Sequence, residues 1–443
     1  MSLQSSGPIS LLNIQNEFKG SAPISISEYY GKGGVQSSGS ISVGDFHGTY
    51  IDMILSHTVI NPNAYSTSKD DRFGAVVSIS GDKCIVGAKR EDEAGATDSG
   101  KAYILNASTG ALMHTLNNPN SISYDYFGES VSISGDKCIV GAPWISQGQG
   151  KAYIYNASTG ALLHTLNNPN ANTAGLDDYF GGSVAISGNR CIVGAENEDD
   201  AGTNSGKAYI FNVSTGALIH VLHNPNAYGT TTQDDFGKSV AISGDRCIIS
   251  AFSEDANGAS PAGMVYIFNV LTGTLTHTLH NPNAYGSAEF DWYSKSIAIY
   301  GDKCIIGAYG EDQPSYTDAG KAYVFNVSTG ALLYTLNDPN GFHTPKNDYF
   351  GYSVSISNDK CIVGAYQEYH ETGKYYSGKA YVFNSSTGAL LYTLTNPNSY
   401  GTATDDRFST DVGISGDRCI VGTPREDDTS GTESGNVYIY NEG

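Results

Sequence analysis

One cysteine recurs at a nearly fixed interval, and that periodicity restricts the fold more than any other property of the chain. Cys84, Cys138, Cys191, Cys247, Cys304, Cys361 and Cys419 stand 54, 53, 56, 57, 57 and 58 residues apart, each inside the same phrase, Lys/Arg-Cys-Ile-Val/Ile. A chain that writes one unit seven times builds copies of one supersecondary structure that pack on one another. Residues 125–170 show the unit: four strand-like runs, ESVSIS (A), KCIVGA (B), KAYIYN (C) and ALLHTL (D), each bounded by turn residues. The A–B link is Ser-Gly-Asp or a close variant and the C–D link is Asn-x-Ser-Thr-Gly, both short enough to make consecutive antiparallel strands. That is one blade of a β-propeller.

The ends of the array decide how it closes. Residues 53–63, MILSHTVINPN, match strand D, whereas the chain stops after NVYIYNEG, which matches strand C. The last blade therefore takes its outer strand from the start of the array, which closes the ring and removes two open sheet edges. The expected fold is all-β: a seven-bladed β-propeller of four-stranded blades over residues 51–443, closed by an N-terminal strand D and preceded by a small extended segment, residues 1–50. Alternating strand direction puts the long, variable D–A and B–C loops on one face and the short A–B and C–D turns on the other, and residues 1–50 lead in on the short-turn face. With equivalent residues about 10 Å apart in facing sheets, the cysteines are out of disulfide reach and read as buried small hydrophobes.

The repeat phrase, Phe-Gly, x-Ser-Val-x-Ile-Ser-Gly-Asp, x-Cys-Ile-Val-Gly-Ala, an acidic Gly/Ser loop, then Gly-Lys-Ala-Tyr-Ile, resembles FG-GAP-type propeller repeats, including those of integrin α-chain heads. Many members of that family carry a calcium loop between strands A and B; here Ser134–Lys137 fills that place and is too short to wrap an ion. Residues 1–50, with QSSGPIS at 4–10 echoed by QSSGSIS at 36–42, are similar to N-terminal segments of tailed-bacteriophage structural and tail-fibre proteins. That resemblance implies a virion protein, made in the host cytoplasm without a signal peptide, that docks on other virion proteins through residues 1–50 and assembles as an oligomer. It implies display of the propeller to a host-surface glycan or protein. A collar, nozzle or decoration role without a ligand is the alternative, and a propeller glycan hydrolase or lyase a third.

Charge and candidate sites bear on those choices. A formal charge of −21, from 45 acids against 24 bases, argues against nucleic acid, and no segment has the length of apolar sequence that membrane insertion needs. The B–C loops carry Glu91, Asp92 and Glu93; Glu196, Glu198, Asp199 and Asp200; Glu254 and Asp255; Glu311 and Asp312; and Glu426, Asp427 and Asp428. They are expected to form an electronegative rim, either as solvated loops, as weak surface Ca2+ sites (Glu91, Asp92, Glu198, Asp199, Asp200, Glu426, Asp427) or as a catalytic carboxylate pair. No resident cofactor is expected, and no catalysis, because the acids recur in blade after blade. Asp71, Asp125, Asp178, Asp235, Asp291, Asp348 and Asp406, ahead of each ring aromatic, read as turn hydrogen-bonders. His57, His114, His164, His220 and His277, with Tyr334 and Tyr392, share one position on the outermost strand and are too dispersed to hold a metal. Candidate contacts on the variable-loop face are Trp144, Tyr228, Tyr285, Trp292, Tyr366 and Tyr369, with Tyr65, Phe342 and Tyr400 nearby.

Overall fold

The computed structural model describes residues 52–62, 70–170, 177–199, 203–225, 233–255, 262–282, 291–312, 318–339, 348–368, 377–397, 406–427 and 433–443. The chain divides into a large unit, Leu55–Asn441, and a terminal unit made of Met1–Ile54 with Glu442 and Gly443. Of the terminal unit, only Asp52–Ile54 and Glu442–Gly443 lie among the described residues, and the N–H of Gly443 donates to the carbonyl of Asp52 at 3.0 Å. The expected attachment role of residues 1–50 lies outside the described residues.

The large unit is built from seven four-stranded antiparallel sheets. In blade 1 the strands are β2 (Val76–Ser80), β3 (Lys83–Ala88), β4 (Lys101–Asn106) and β5 (Leu112–Asn117), paired in sequence order, so the A-to-D reading holds strand for strand. The inner strands of the other blades are β6 (Ser130–Ser134), β10 (Ser183–Ser187), β14 (Phe236–Ser243), β18 (Tyr293–Tyr300), β22 (Phe350–Ser357) and β26 (Asp411–Ser415). Each packs on the next, and β26 packs on β2, so the ring is complete. The seventh sheet runs β1 (Met53–Ile60), β28 (Asn436–Glu442), β27 (Arg418–Thr423), β26: the closure anticipated from the offset ends.

Side chains that read as exposed polar positions join the blades. The second serine of the Ser-x-Ile-Ser phrase accepts a hydrogen bond from the next blade's turn glycine, as in Ser80 with Gly135 (3.1 Å) and Ser134 with Gly188 (3.2 Å). At the junction of last blade and first, Ser415 takes the Gly81 N–H at 3.0 Å and Asp411 takes the Val77 N–H at 2.7 Å. On the outer strands, each histidine ring nitrogen meets a carbonyl of the neighbouring C–D turn, His57 with Ser108 and His114 with Ser158, both at 3.0 Å. Those histidines and Tyr334 are inter-blade fasteners. The asparagine of Asn-x-Ser/Thr closes its own turn, Asn106 accepting from Ser108 and Thr109 at 2.9 Å, which is turn chemistry as expected.

Between blades lie apolar layers of strand B and C residues, with the ring aromatics Phe73, Phe127, Phe180, Phe236, Tyr293, Phe350 and Phe408 fully buried. All seven cysteines are free and fully buried, and burial pushes the Cys84 and Cys247 thiols up to about 12. The glycine of Val-Gly-Ala marks a close approach of two blades: a Cβ on Gly141 would stand 2.0 Å from the Gly181 carbonyl oxygen.

Candidate functional site

The acidic B–C loops are organised differently from the expected rim. One glutamate in each of six blades points inward. Glu91, three residues past the Gly-Ala that ends strand B, is fully buried; it accepts from Lys101 Nζ at 2.7 Å and from Tyr103 Oη at 2.5 Å, both on strand C. Its backbone is fixed as well, taking the Gly100 N–H at 2.9 Å. Glu198 repeats the brace with Lys207 (3.0 Å) and Tyr209, Glu311 with Lys321 and Tyr323 (both 2.5 Å), and Glu368 with Lys379 (2.7 Å) and Tyr381 (2.6 Å). Burial pushes the carboxyls of Glu91 and Glu311 upward, against the pull of the lysine and tyrosine donors. These glutamates are interior struts and not rim charges: a buried carboxylate is retained only with charged or hydrogen-bonding partners, and strand C supplies them; the aspartates beside them, Asp92, Asp199, Asp255, Asp312 and Asp427, are exposed.

Two blades omit the cation. Met264 and Asn436 stand in the lysine position, and Glu254 and Glu426 are held by the strand C tyrosine, Tyr266 at 2.6 and 2.8 Å and Tyr438 at 2.5 and 2.7 Å. Without a lysine, burial raises Glu254 to about 7, with Asp234 and Asp255 adding to the push. Blade 2 omits the acid, and a buried Ile145 takes its place in the apolar core.

The aspartates beside the struts close the loops. Asp92, Asp199 and Asp427 accept the N–H of Asp98 (2.8 Å), Asn204 (2.8 Å) and Glu433 (2.9 Å). Asp200 lies outside the described residues, and among the described residues no three His, Cys, Asp or Glu side chains gather as a metal site. The aspartates ahead of the ring aromatics are clasps to the Asn-Pro-Asn segment: Asn61 to Asp71 at 2.9 Å, Asn168 to Asp178 at 2.8 Å, Asn281 to Asp291 at 2.8 Å. In blade 4 the clasp is Asp234, bonded by Asn224 at 2.7 Å. The expected Asp235 is one residue off; it holds Ser253 Oγ at 2.5 Å instead.

With the struts and clasps accounted for, what differs from blade to blade stands out. Four register positions vary freely inside otherwise repeated segments: the residue before the ring aromatic, the residue two after it, and the two residues after Gly-Ala. The first set is Arg72, Tyr126, Tyr179, Asp235, Trp292, Tyr349 and Arg407, all left-handed with φ between 51° and 59°. Six of the seven are residue types that rarely adopt that backbone. The clasp aspartate on one side and the buried aromatic on the other hold them there.

Residues from these sets line two cavities at the variable-loop end of the inner strands. One, about 400 Å³, is lined by Arg72, Lys89, Arg90, Tyr126, Glu129, Pro143, Trp144, Tyr179, Gly182, Glu196, Lys238 and Lys295. The other, about 370 Å³, shares Arg72, Lys89, Glu129 and Lys295 and adds Tyr352, Arg407, Arg425 and Asp411 among others. The shared walls make them two lobes of one central mouth, near the ~300–1,000 Å³ of ligand sites. Asp411 is pushed up to about 7 by burial, so it carries only part of a full negative charge at neutral pH.

Of the aromatic candidates, the structure brings Trp144 to the mouth at 40% exposure, between Tyr126 (ring centroids 6.0 Å) and Tyr179 (4.8 Å). Its blade has the shortened B–C loop, turned at Ser146 and Gln147 in left-handed conformation. Trp292 is stacked between Phe252 (5.4 Å) and Tyr309 (6.0 Å). Tyr366 is buried against Tyr352 at 4.4 Å, with the Arg407 guanidinium 5.6 Å from its ring, so it backs the wall. Tyr228, Tyr285 and Tyr369, with Tyr65, Phe342 and Tyr400, lie outside the described residues. The basic residues of the mouth were missed in sequence; the signal for them is disagreement between copies at positions flanked by agreement.

Seven segments match the FG-GAP repeat family, residues 64–105, 116–155, 171–211, 227–268, 284–325, 344–383 and 400–440. No curated protein matches the chain.

Proposed function

The chain belongs to the FG-GAP repeat family, and from that premise we propose that it is a binding protein without catalysis, its ligand held at the mouth of the propeller. One observation carries this reading: in seven copies of one unit, most of the positions free to differ line one cavity. A ring used only as a brace needs no such convergence, because fold-preserving positions are already satisfied by struts, clasps and fasteners. Variable residues on a rigid frame are where recognition resides. The glutamates that recur are held as struts, and among the described residues each glutamate of the mouth has a lysine partner: Glu129 is with Lys89 and Glu196 with Lys238, both at 2.8 Å.

The resemblance of residues 1–50 to tailed-phage proteins extends the proposal: the protein is a tail-fibre or receptor-binding type component of a virion, attached through that segment to other virion proteins. Labelling residues 1–50 and imaging intact particles tests the location. Binding of the full chain to host surfaces, lost when Trp144 or Lys295 is changed, tests the role; a particle protein that touches only its neighbours is a collar or decoration component. Turnover of a host polysaccharide by the purified chain would refute the non-catalytic reading.

A further inference from the structure

The mouth differs in charge from the chain that surrounds it. Acids outnumber bases by 45 to 24 overall. In the larger lobe five bases face two acids, Glu129 and Glu196. Each of those acids has its own lysine, at 2.8 Å, and Arg72 and Arg90 share Asp70 at 3.1 and 2.8 Å. The Lys295 ammonium is left over: among the described residues it makes no side-chain hydrogen bond and no ion pair within 4 Å, and the charges of Glu196 and Glu129 reach it only from farther away. Burial, with the nearby charge of Lys238, holds its ammonium below the usual lysine range. The same lobe carries the half-exposed Trp144 with Tyr126 and Tyr179 around it.

We infer that this lobe takes a carboxylated sugar ring, the acidic residue of a host-surface saccharide, with the carboxylate at Lys295 and the ring's C–H face on Trp144; this identification rests on the binding role proposed above. A cation that shares a cavity with a half-exposed aromatic side chain fits a ligand with an anionic group and a flat apolar face, and a pyranose uronate or sialate has both. A bare anion would leave Trp144 in water, and a neutral sugar would leave Lys295 without a counter-charge. A long polyanion such as nucleic acid fits less well. Only the part inside the mouth meets positive charge, and the rest lies against a chain of net charge −21 within reach of its field.

The test uses the full chain on an array of matched acidic and neutral saccharides, followed by titration with methyl glucuronide, methyl glucoside and inorganic phosphate. The only tryptophans are Trp144 and Trp292, since the chain has two, so W292F leaves Trp144 as the sole fluorescence reporter. The expected result is glucuronide binding at least tenfold tighter than glucoside. Lys295→Met and Trp144→Ala should each weaken it about tenfold or more with the thermal transition preserved, and raised salt should weaken it in the wild type more than in K295M. Phosphate binding as tight as glucuronide and indifferent to W144A overturns the inference in favour of a plain anion site. Equal binding of glucoside, or K295M-sensitive binding of a DNA oligonucleotide alone, overturns it too. In those cases the mouth still binds something, and the broader role stands; no ligand on the array or on host surfaces sinks both.

Discussion

Glu254 gives a direct test of the strut. Its folded-state carboxyl lies at about 7 against 4.5 for the free group, from burial first, with the Tyr266 hydroxyl holding it and Met264 where five blades have lysine. A raised acid binds its proton more tightly in the folded state, so unfolding releases protons between the two values. Stability is then greatest below about pH 4.5 and falls as pH rises to about 7. A shift of that size corresponds to about 3 kcal/mol. Glu254→Gln removes this dependence. The buried amide costs on the order of 1–2 kcal/mol wherever it lacks an acceptor, but that cost is the same at every pH. The informative quantity is therefore the difference curve: mutant minus wild-type stability should climb by about 3 kcal/mol from pH 4.5 to pH 8. With about 2.1 cal/mol/K per residue of unfolding entropy over Leu55–Asn441, that is a relative Tm gain of roughly 4 °C. Glu91→Gln is the contrast, because it takes the carboxylate charge away from the buried Lys101 ammonium, and should cost about 3–5 kcal/mol at pH 8. Chemical denaturation of both variants at several pH values decides the matter. If E254Q follows the wild-type pH curve in parallel, Glu254 is not ionising in the folded protein as argued.

Three further outcomes follow from the same geometry. Asp338 stands where other blades have the clasp asparagine, and its charge helps push Glu368 up to about 7, after burial; Asp338→Asn should stabilise by about 1–2 kcal/mol at pH 8 and by little at pH 5, read by thermal scanning at both. The seven thiols are fully buried, so a thiol reagent at pH 8 should label fewer than one per chain in the native state within minutes and all seven in denaturant. Deleting residues 1–60 removes β1 and leaves β28 as an open edge; size-exclusion chromatography should show aggregation or pairing of copies, and a monomer as stable as the full chain would contradict closure by β1.

How much could be read beforehand depended on whether a residue's role is local. Strand order, the offset closure and the buried cysteines follow from period and alternation, which the backbone obeys residue by residue. The turn asparagines follow from chemistry two residues away. The strut glutamates misled because an acid amid Gly and Ser reads as solvated, while its partners Lys101 and Tyr103 sit 10 and 12 residues on, across a loop. A clue was present: the glutamate falls three residues after Gly-Ala in four blades, after Ser-Ala in the fourth and after Gly-Thr in the seventh, and it becomes Ile145 in the blade whose loop is shortened. The clasp in blade 4 was ambiguous between Asp234 and Asp235, and the ten-residue spacing from the Asn-Pro-Asn asparagine, shared by Asn61 with Asp71 and Asn168 with Asp178, selects Asp234.

The mouth was illegible for a different reason. Periodicity reports what the copies share, and a site on a ring of near-identical blades consists of what they do not share. Each variable residue before the ring aromatic sits in a left-handed conformation that costs an ordinary side chain on the order of 1 kcal/mol or more. Glycine would be free of that cost, and glycine does occupy the left-handed position two residues on in five blades, from Gly74 to Gly351, with serine only at Ser294 and Ser409. Arginine, tyrosine and tryptophan held where glycine would be more comfortable are therefore side chains kept for what they touch. Arg72, Tyr126 and Tyr179 line one lobe and Arg407 the other. The stability given up at those positions is local to the mouth, while the struts, clasps and serine fasteners that compensate for it are distributed around all seven blades.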